Sequence, residues 1–350
     1  MRAITVLPGV ANSGRLDEVP EPAPSEGSIL ARTWALGVCG TDREILAGEY
    51  GAAPRGAERL ILGHESLGIV EEAPSASGFA AGDLVVGIVR RPDPVPCPAC
   101  AAGEWDMCRN GRYTERGIKE RHGYGAERFR VEPDFTVKLD PALGLLGVLM
   151  EPTSVVAKGW DHAERIGRRS QSWHAGELLV TGAGPIGLLA ALMGMQRGLD
   201  VHVFDRNATG PKPDLVRRLG ATYHTGNLGE LDRLAPDVII ECTGAPALVL
   251  AALRHPASAK IVCLAGLSAA GQMIELDAGV FNRTMVLENQ TVFGAVNANR
   301  RHYEDAAQVL AKADRDWLGR MISRRIALDH WPEALEYRRG DIKVVLDFTL

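Results

Sequence analysis

One stretch, Leu178-Leu-Val-Thr-Gly182-Ala-Gly184-Pro185-Ile186-Gly187, constrains this chain more than any other. A short apolar run leads into glycines spaced G-x-G-x-x-G, and an uncharged run follows to Met195. In a strand–turn–helix each glycine has its own task. Gly182 permits the tight turn, Gly184 lets a ligand approach the backbone, and Gly187 lets helix and strand pack closely. Pro185 and Ile186 then open the helix, whose free N–H groups and positive dipole end suit a pyrophosphate. The motif alone is weak, but the next apolar run, Val201 to Asp205, ends in an acid at about the 20-residue offset that a ribose-binding carboxylate needs. The reading is a dinucleotide site. Asp205 should repel a 2′-phosphate, which favours NAD. Arg206 follows it and Lys212 lies nearby, and either could pair with a phosphate, so NADP stays open.

Around this motif β and α patterns alternate. Strand candidates are Leu178–Thr181, Val201–Asp205, Val238–Cys242, Ile261–Ala265 and Thr291–Ala295, with helices such as Pro246–Leu253 between them. Alternation of this kind predicts a parallel sheet covered on both faces. The first part of the chain differs. Ile29–Leu36, Gly68–Glu72 and Leu84–Val89 are apolar or β-branched runs broken by Gly, Pro and Asp, as in an all-β domain with a long loop over 90–110. A helix is expected over Ser154–Ile166. The tail reads as helical from Arg301 to about Ala313 and ends in a β-like run, Lys343–Phe348. The expected division is 1–155 with 297–350 returning to it, and 156–296.

A net charge of −5 supplies no basic surface for nucleic acid and no polybasic tail for a membrane. The apolar run Leu178–Met195 nearly reaches spanning length, but its clustered glycines and proline fit strand–turn–helix better. The N-terminal residues lack the apolar core of a signal peptide, so the expected location is the cytoplasm. Of six cysteines, Cys97, Cys100 and Cys108 crowd together. In a reducing compartment such crowding suits a metal better than disulfides.

Four residues far apart in sequence sit in contexts suited to a metal centre. Cys39 lies in the small-residue turn Gly37-Val-Cys-Gly-Thr41-Asp42. His64 and Glu65 precede an apolar strand, and Glu151 precedes Pro152 near the domain boundary. Catalytic zinc takes mixed N, S and O ligands and keeps one position open. Spacing alone does not bring these four together. Taken singly, Cys39 reads equally as a buried small residue and His64 as a satisfied polar one.

The ordered set Gly37-Val-Cys39-Gly-Thr41-Asp42, Leu62-Gly-His64-Glu65-Ser-Leu-Gly68 and Gly182–Gly187 resembles the zinc-dependent medium-chain dehydrogenase/reductase family. The resemblance runs from the N-terminus to Lys343–Phe348. It implies a fold of a GroES-like β-barrel catalytic domain plus a Rossmann doubly wound parallel-sheet domain. By position it makes Cys39 and His64 zinc ligands, and Glu65 and Glu151 acids that meet zinc directly or through water. Thr41 is implied as the hydroxyl that relays the substrate proton, and Thr243 and Gly244 as part of the cofactor site. Cys97, Cys100 and Cys108 match three positions of the family's structural-zinc lobe, C-x2-C-x2-C-x7-C. Its first cysteine is replaced by Pro94, with Asp93 beside it as an oxygen ligand. An empty lobe or a redox-active C-x-x-C are the alternatives.

Arg112-Tyr-Thr-Glu115-Arg-Gly-Ile118, His122–Glu127, Gly147–Thr153 and Gly294-Ala-Val-Asn297 resemble the glucose dehydrogenase branch. The resemblance implies that Glu115, Glu151 and Asn297 contact sugar hydroxyls, Asn297 also lying by the cofactor, with a looser match at Glu288 and Asn289. Without it Glu115 would read as an ordinary surface carboxylate. Val89 and Val155 stand where relatives often carry polar sugar contacts. The expected reaction is zinc-dependent, NAD(P)-linked oxidation of an aldose at C1 to the lactone. A polyol, alcohol or threonine dehydrogenase and an inactive nucleotide-binding sensor are the rivals. A homo-oligomer is expected, with Gln290–Ala295 as a pairing edge.

Overall fold

The computed structural model describes all 350 residues. The chain divides into two units, Met1–Ser154 with Asn297–Leu350, and Val155–Val296.

In the first unit the main sheet has seven strands. Its order is Thr136–Lys138, Leu84–Gly87, Glu65–Glu72, Ile29–Val38, Lys343–Asp347 and Ile322–Ala327, with Arg128–Val131 also on Ile29–Val38. The ten-residue strand Ile29–Val38 is the hub, because its alternate residues are buried and pack into one core. That core includes Ile4, Ile29, Leu36, Leu60, Val70, Val85, Phe129 and Val344. Each such side chain contributes roughly 1.5–3 kcal/mol on burial. The C-terminal strand Lys343–Asp347 runs antiparallel to Ile29–Val38, pairing Val344 with Val38. It thereby ties the end of the chain to its beginning. The strand Ile322–Ala327, parallel to it, has no clear signal in the sequence: its burial alternates between exposed and half-buried positions.

The second unit is a six-stranded parallel sheet. Its order is Thr222–His224, Asp200–Phe204, Glu177–Thr181, Val238–Glu241, Ile261–Leu264 and Thr291–Gly294. In chain order this is 3-2-1-4-5-6, the doubly wound arrangement whose ligands sit beyond the carboxyl ends of the strands, where the order reverses. The central strand Val238–Glu241 is buried at every residue, as parallel strands covered on both faces require. Leu178–Met195 resolves into the strand Glu177–Thr181 and the helix Pro185–Gln196. That helix is buried almost all round, which explains why it carries no charge. By length and composition the stretch Pro141–Gly167 would also cross a membrane, but Gly144 breaks it and most of it is buried. Thr291–Gly294 is one of the two edge strands of this sheet. Beside it in sequence, the helix Ala278–Leu287 buries none of its residues.

Candidate active site

Cys39 leaves the strand Ile29–Val38 and becomes the N-cap of the short helix Gly40–Leu46. Asp42 closes this turn by accepting the Cys39 amide on Oδ2 at 2.8 Å. Its Oδ1 faces Nδ1 of His64 at 3.3 Å, and neither atom has another partner. This contact directs the other ring nitrogen of His64 away from Asp42. The ligand atoms of Cys39, His64 and Glu65 all lie within 4.8 Å of one another. A sulfur, a nitrogen and an oxygen in one buried cluster form the mixed donor set of catalytic zinc. The orphaned His64–Asp42 pair is the outer-shell arrangement that fixes the tautomer of a ligating histidine. The residues therefore fit a zinc ion. Burial works against a charged His64, yet Asp42 and then Cys39 hold its imidazolium well above the usual range.

Lys343 completes the cluster from the far end of the chain. Its Nζ lies 2.7 and 2.6 Å from the two oxygens of Glu65, and both residues are 2% exposed or less. Glu65 and Lys343 belong to strands on opposite flanks of Ile29–Val38. The Glu65 carboxylate crosses the intervening strand at Gly37, where an added Cβ would sit 2.0 Å from Oε2. Gly37 is the residue that lets the pair form. Glu151, at the start of the helix Met150–Gly167, is not among the three atoms that meet mutually. Burial, with Glu65 adding to it and His64 opposing it, pushes its carboxyl up to about 7. Thr41 stands next to the centre, its hydroxyl 4.0 Å from the Cys39 sulfur.

A second polar network lies in the same unit. Arg90 and Glu115 are directly opposed on antiparallel strands. Glu115 Oε1 accepts from Arg90 Nε at 3.0 Å, Arg90 Nη2 at 2.9 Å and Asn297 Nδ2 at 2.7 Å. All three donors meet one oxygen, so Oε2 is left to another donor. Glu115 is 4% exposed, which excludes the surface-carboxylate reading. Asn297 takes a left-handed backbone with φ 62°. Arg90 also stacks on Tyr113, 3.8 Å from the ring centroid. By contrast, Val89 belongs to the hydrophobic core, and Glu288 is turned toward Ser258 at the surface of the other unit.

In the second unit Gly182 has φ 96°, and a Cβ on Gly187 would lie 1.7 Å from the Gly182 carbonyl oxygen. Gly184 has nothing within 4 Å of its missing Cβ, so the backbone there is open to a ligand. Asp205 accepts the Ala183 amide of this turn at 2.8 Å and the Asn207 amide at 3.0 Å. Burial opposes its ionisation, but these amides hold the carboxyl below its usual range. Lys212 comes within 3.6 Å of Asp205, and Arg206 is exposed. The fully buried Glu241 fixes the neighbouring loop, accepting the Thr243 amide at 2.8 Å and the Gly244 amide at 3.0 Å.

Residues 144–348 match the family model described as the glucose dehydrogenase C-terminus, and residues 25–141 match the alcohol dehydrogenase GroES-like domain. The chain is 39% identical to a glucose 1-dehydrogenase of Methanocella arvoryzae, covering 99% of both chains. It is also 39% identical to glucose 1-dehydrogenase 1 of Caldivirga maquilingensis, over 100% of this chain and 99% of that one. The chain belongs to the glucose dehydrogenase branch of the zinc-dependent medium-chain dehydrogenases. Among solved structures of this branch, the Haloferax mediterranei glucose dehydrogenase in complex with NADP, Zn and gluconolactone superposes with a TM-score of 0.91 at 31% identity, over the whole of both chains.

The first unit of this dehydrogenase carries a further cysteine cluster. The sulfurs of Cys97, Cys100 and Cys108 lie within 4.8 Å of one another, and no disulfide joins them. Asp93 is not a member of that cluster. Its carboxylate accepts the Val95 amide at 2.8 Å and pairs with Arg112 at 3.3 Å. Asp42, Lys343 and Arg90 were not legible as functional residues in the sequence. Asp42 carried a usable signal, an acid three residues after an N-cap. Lys343 and Arg90 acquire their partners only through strand pairing.

Proposed function

We propose that this protein oxidises an aldose at C1 to the lactone, passing the hydride to NAD(P) and releasing a proton. The observation that carries this reading is the buried convergence of Cys39, His64 and Glu65, in a chain of the glucose dehydrogenase branch. Cys39 and His64 would hold the metal, with Glu65 and Glu151 as carboxylates available to it. A zinc ion bound there supplies Lewis acidity, which lowers the pKa of a substrate hydroxyl. Asp42 keeps the His64 ring in the ligating orientation. Lys343 restrains Glu65 as a reserve ligand. The Thr41 hydroxyl, beside Cys39, accepts the proton leaving the substrate oxygen and passes it on. Glu115, oriented by Arg90 and Asn297, offers Oε2 to a sugar hydroxyl.

The dinucleotide binds over Gly182, Gly184 and Gly187, with its pyrophosphate at the N-terminus of Pro185–Gln196. Asp205 selects for the unphosphorylated ribose of NAD. Arg206 and Lys212 supply the positive charge by which NADP, the dinucleotide in the Haloferax complex, is also taken. The free cysteines suit the cytoplasm. The unpaired edge Thr291–Gly294 and the exposed Val280, Val286 and Leu287 of the adjoining helix suit a homo-oligomer.

A panel of aldoses, polyols and threonine, each with NAD and with NADP, tests the reading alongside zinc analysis. The expected result is aldose oxidation that Cys39→Ala abolishes while NAD binding persists. Near-full activity in Cys39→Ala, or turnover confined to polyols or threonine, would overturn it.

A further inference from the structure

The lobe over 93–110 brings together three cysteine sulfurs, with no fourth side chain in the cluster. A closed structural zinc site takes four protein ligands. Here Cys97 is the N-cap of the one-turn helix Pro98–Ala101, Cys100 lies within it, and Cys108 follows the turn Trp105–Met107. Sulfurs bound to one ion at about 2.3 Å stand about 3.8 Å apart, so the observed cluster needs little contraction. A main-chain amide already points at one of these sulfurs: Arg109 N–H donates to Cys97 at 3.4 Å. Such a bond supports a thiolate without occupying a coordination position.

Every carboxylate of the segment is committed elsewhere. Asp93 holds Val95 and Arg112. Asp106 accepts from Asn299 at 2.7 Å, and Glu104 pairs with Arg301 at 3.8 Å. The segment contains no histidine. Cys97 and Cys100 are buried, but Cys108 is partly exposed and the residues after it, Asn110 and Gly111, are exposed. Cys108 and its exposed neighbours bring the edge of the cluster to the surface.

We propose that Cys97, Cys100 and Cys108 form a three-thiolate centre for a soft or borderline ion, its fourth position filled by an exogenous ligand such as a small thiol. Three thiolates on a divalent ion leave one negative charge. A carboxylate in the fourth place would raise that to two, whereas a neutral or exchangeable ligand need not. The same triad should capture arsenite, three thiols and As(OH)3 giving As(SR)3 and three waters, with no change of oxidation state.

Two measurements on the full chain test this. In wild-type protein stripped of metal, one equivalent of arsenite should mask three of the six thiols from a disulfide titrant; masking of fewer than three would show that the cysteines do not act as a unit. In Cys39→Ser protein loaded with cobalt(II), the thiolate-to-cobalt charge-transfer band reports the lobe, since the other centre has lost its sulfur. That band and the visible bands should shift on adding 2-mercaptoethanol and stay unchanged in Asp93→Asn. Spectra blind to added thiol, or altered by Asp93→Asn, would mean a closed site and overturn the proposal. Absence of the charge-transfer band would overturn it too.

Discussion

Replacing Lys343 by Met would leave the Glu65 carboxylate buried without its cation. Two unit charges 2.6 Å apart attract by roughly 6 kcal/mol at an effective dielectric near 20. Much of that offsets the cost of desolvating both groups, so the intact pair adds little net stability. Removing one partner is different, because the other keeps its desolvation cost. Breaking a buried pair in this way costs about 3–5 kcal/mol. In a cooperative unit of about 200 residues this corresponds to a fall in Tm of roughly 6–20 °C. Scanning calorimetry of metal-free protein reads it directly. The double variant Lys343→Met with Glu65→Gln removes both charges and should recover a good part of the loss. Gly37→Ala should mimic the single variant, since its Cβ would occupy the position of Glu65 Oε2. A Lys343→Met protein melting within 2 °C of wild type would refute the reasoning, and so would a double variant no more stable than the single one.

Asp42→Asn keeps the shape of the turn but weakens the acceptor behind His64; zinc affinity, measured by competition with a chromophoric chelator, should fall about 10–100-fold. Glu115→Gln should reduce kcat/KM for the sugar by roughly 10–150-fold, the value of a hydrogen bond to a charged group of about 1.5–3 kcal/mol, with zinc content unchanged. A loss equal for all alcohols would instead place Glu115 outside sugar recognition. Glu132 gives a pH signature. Burial would raise its carboxyl, but Arg91 and Arg121 outweigh it and hold the group down at about 2. A depressed carboxylate stabilises the fold above its unfolded value near 4.5, and that stability is lost as pH falls toward 2. Wild-type Tm should therefore drop across pH 4.5 to 2 more steeply than that of Glu132→Gln. Parallel curves would rule the triad out as an acid-sensitive element.

The local motifs of this chain were set by its sequence. Gly182 and Gly187 are dictated by backbone sterics within ten residues, and the alternating β and α patterns are short-range consequences of burial on two faces. The pairing of Cys97 with Cys100 is a spacing that one helical turn enforces. Tertiary structure decided what no local rule can reach. Glu65 meets Lys343 across 278 residues because two strands flank Ile29–Val38 at Gly37 and Val38. Glu115 meets Asn297 across 182 residues, and its Arg90 partner is fixed by antiparallel register. Asp93 stands next to Pro94, which occupies the expected first cysteine position, and only the folded turn sets its carboxylate against Val95 and Arg112 rather than in the sulfur cluster. The physical reason is common to these cases. A side chain's role depends on which neighbour satisfies it, and hydrogen bonding and burial are settled by strand order and register, which sequence spacing does not encode.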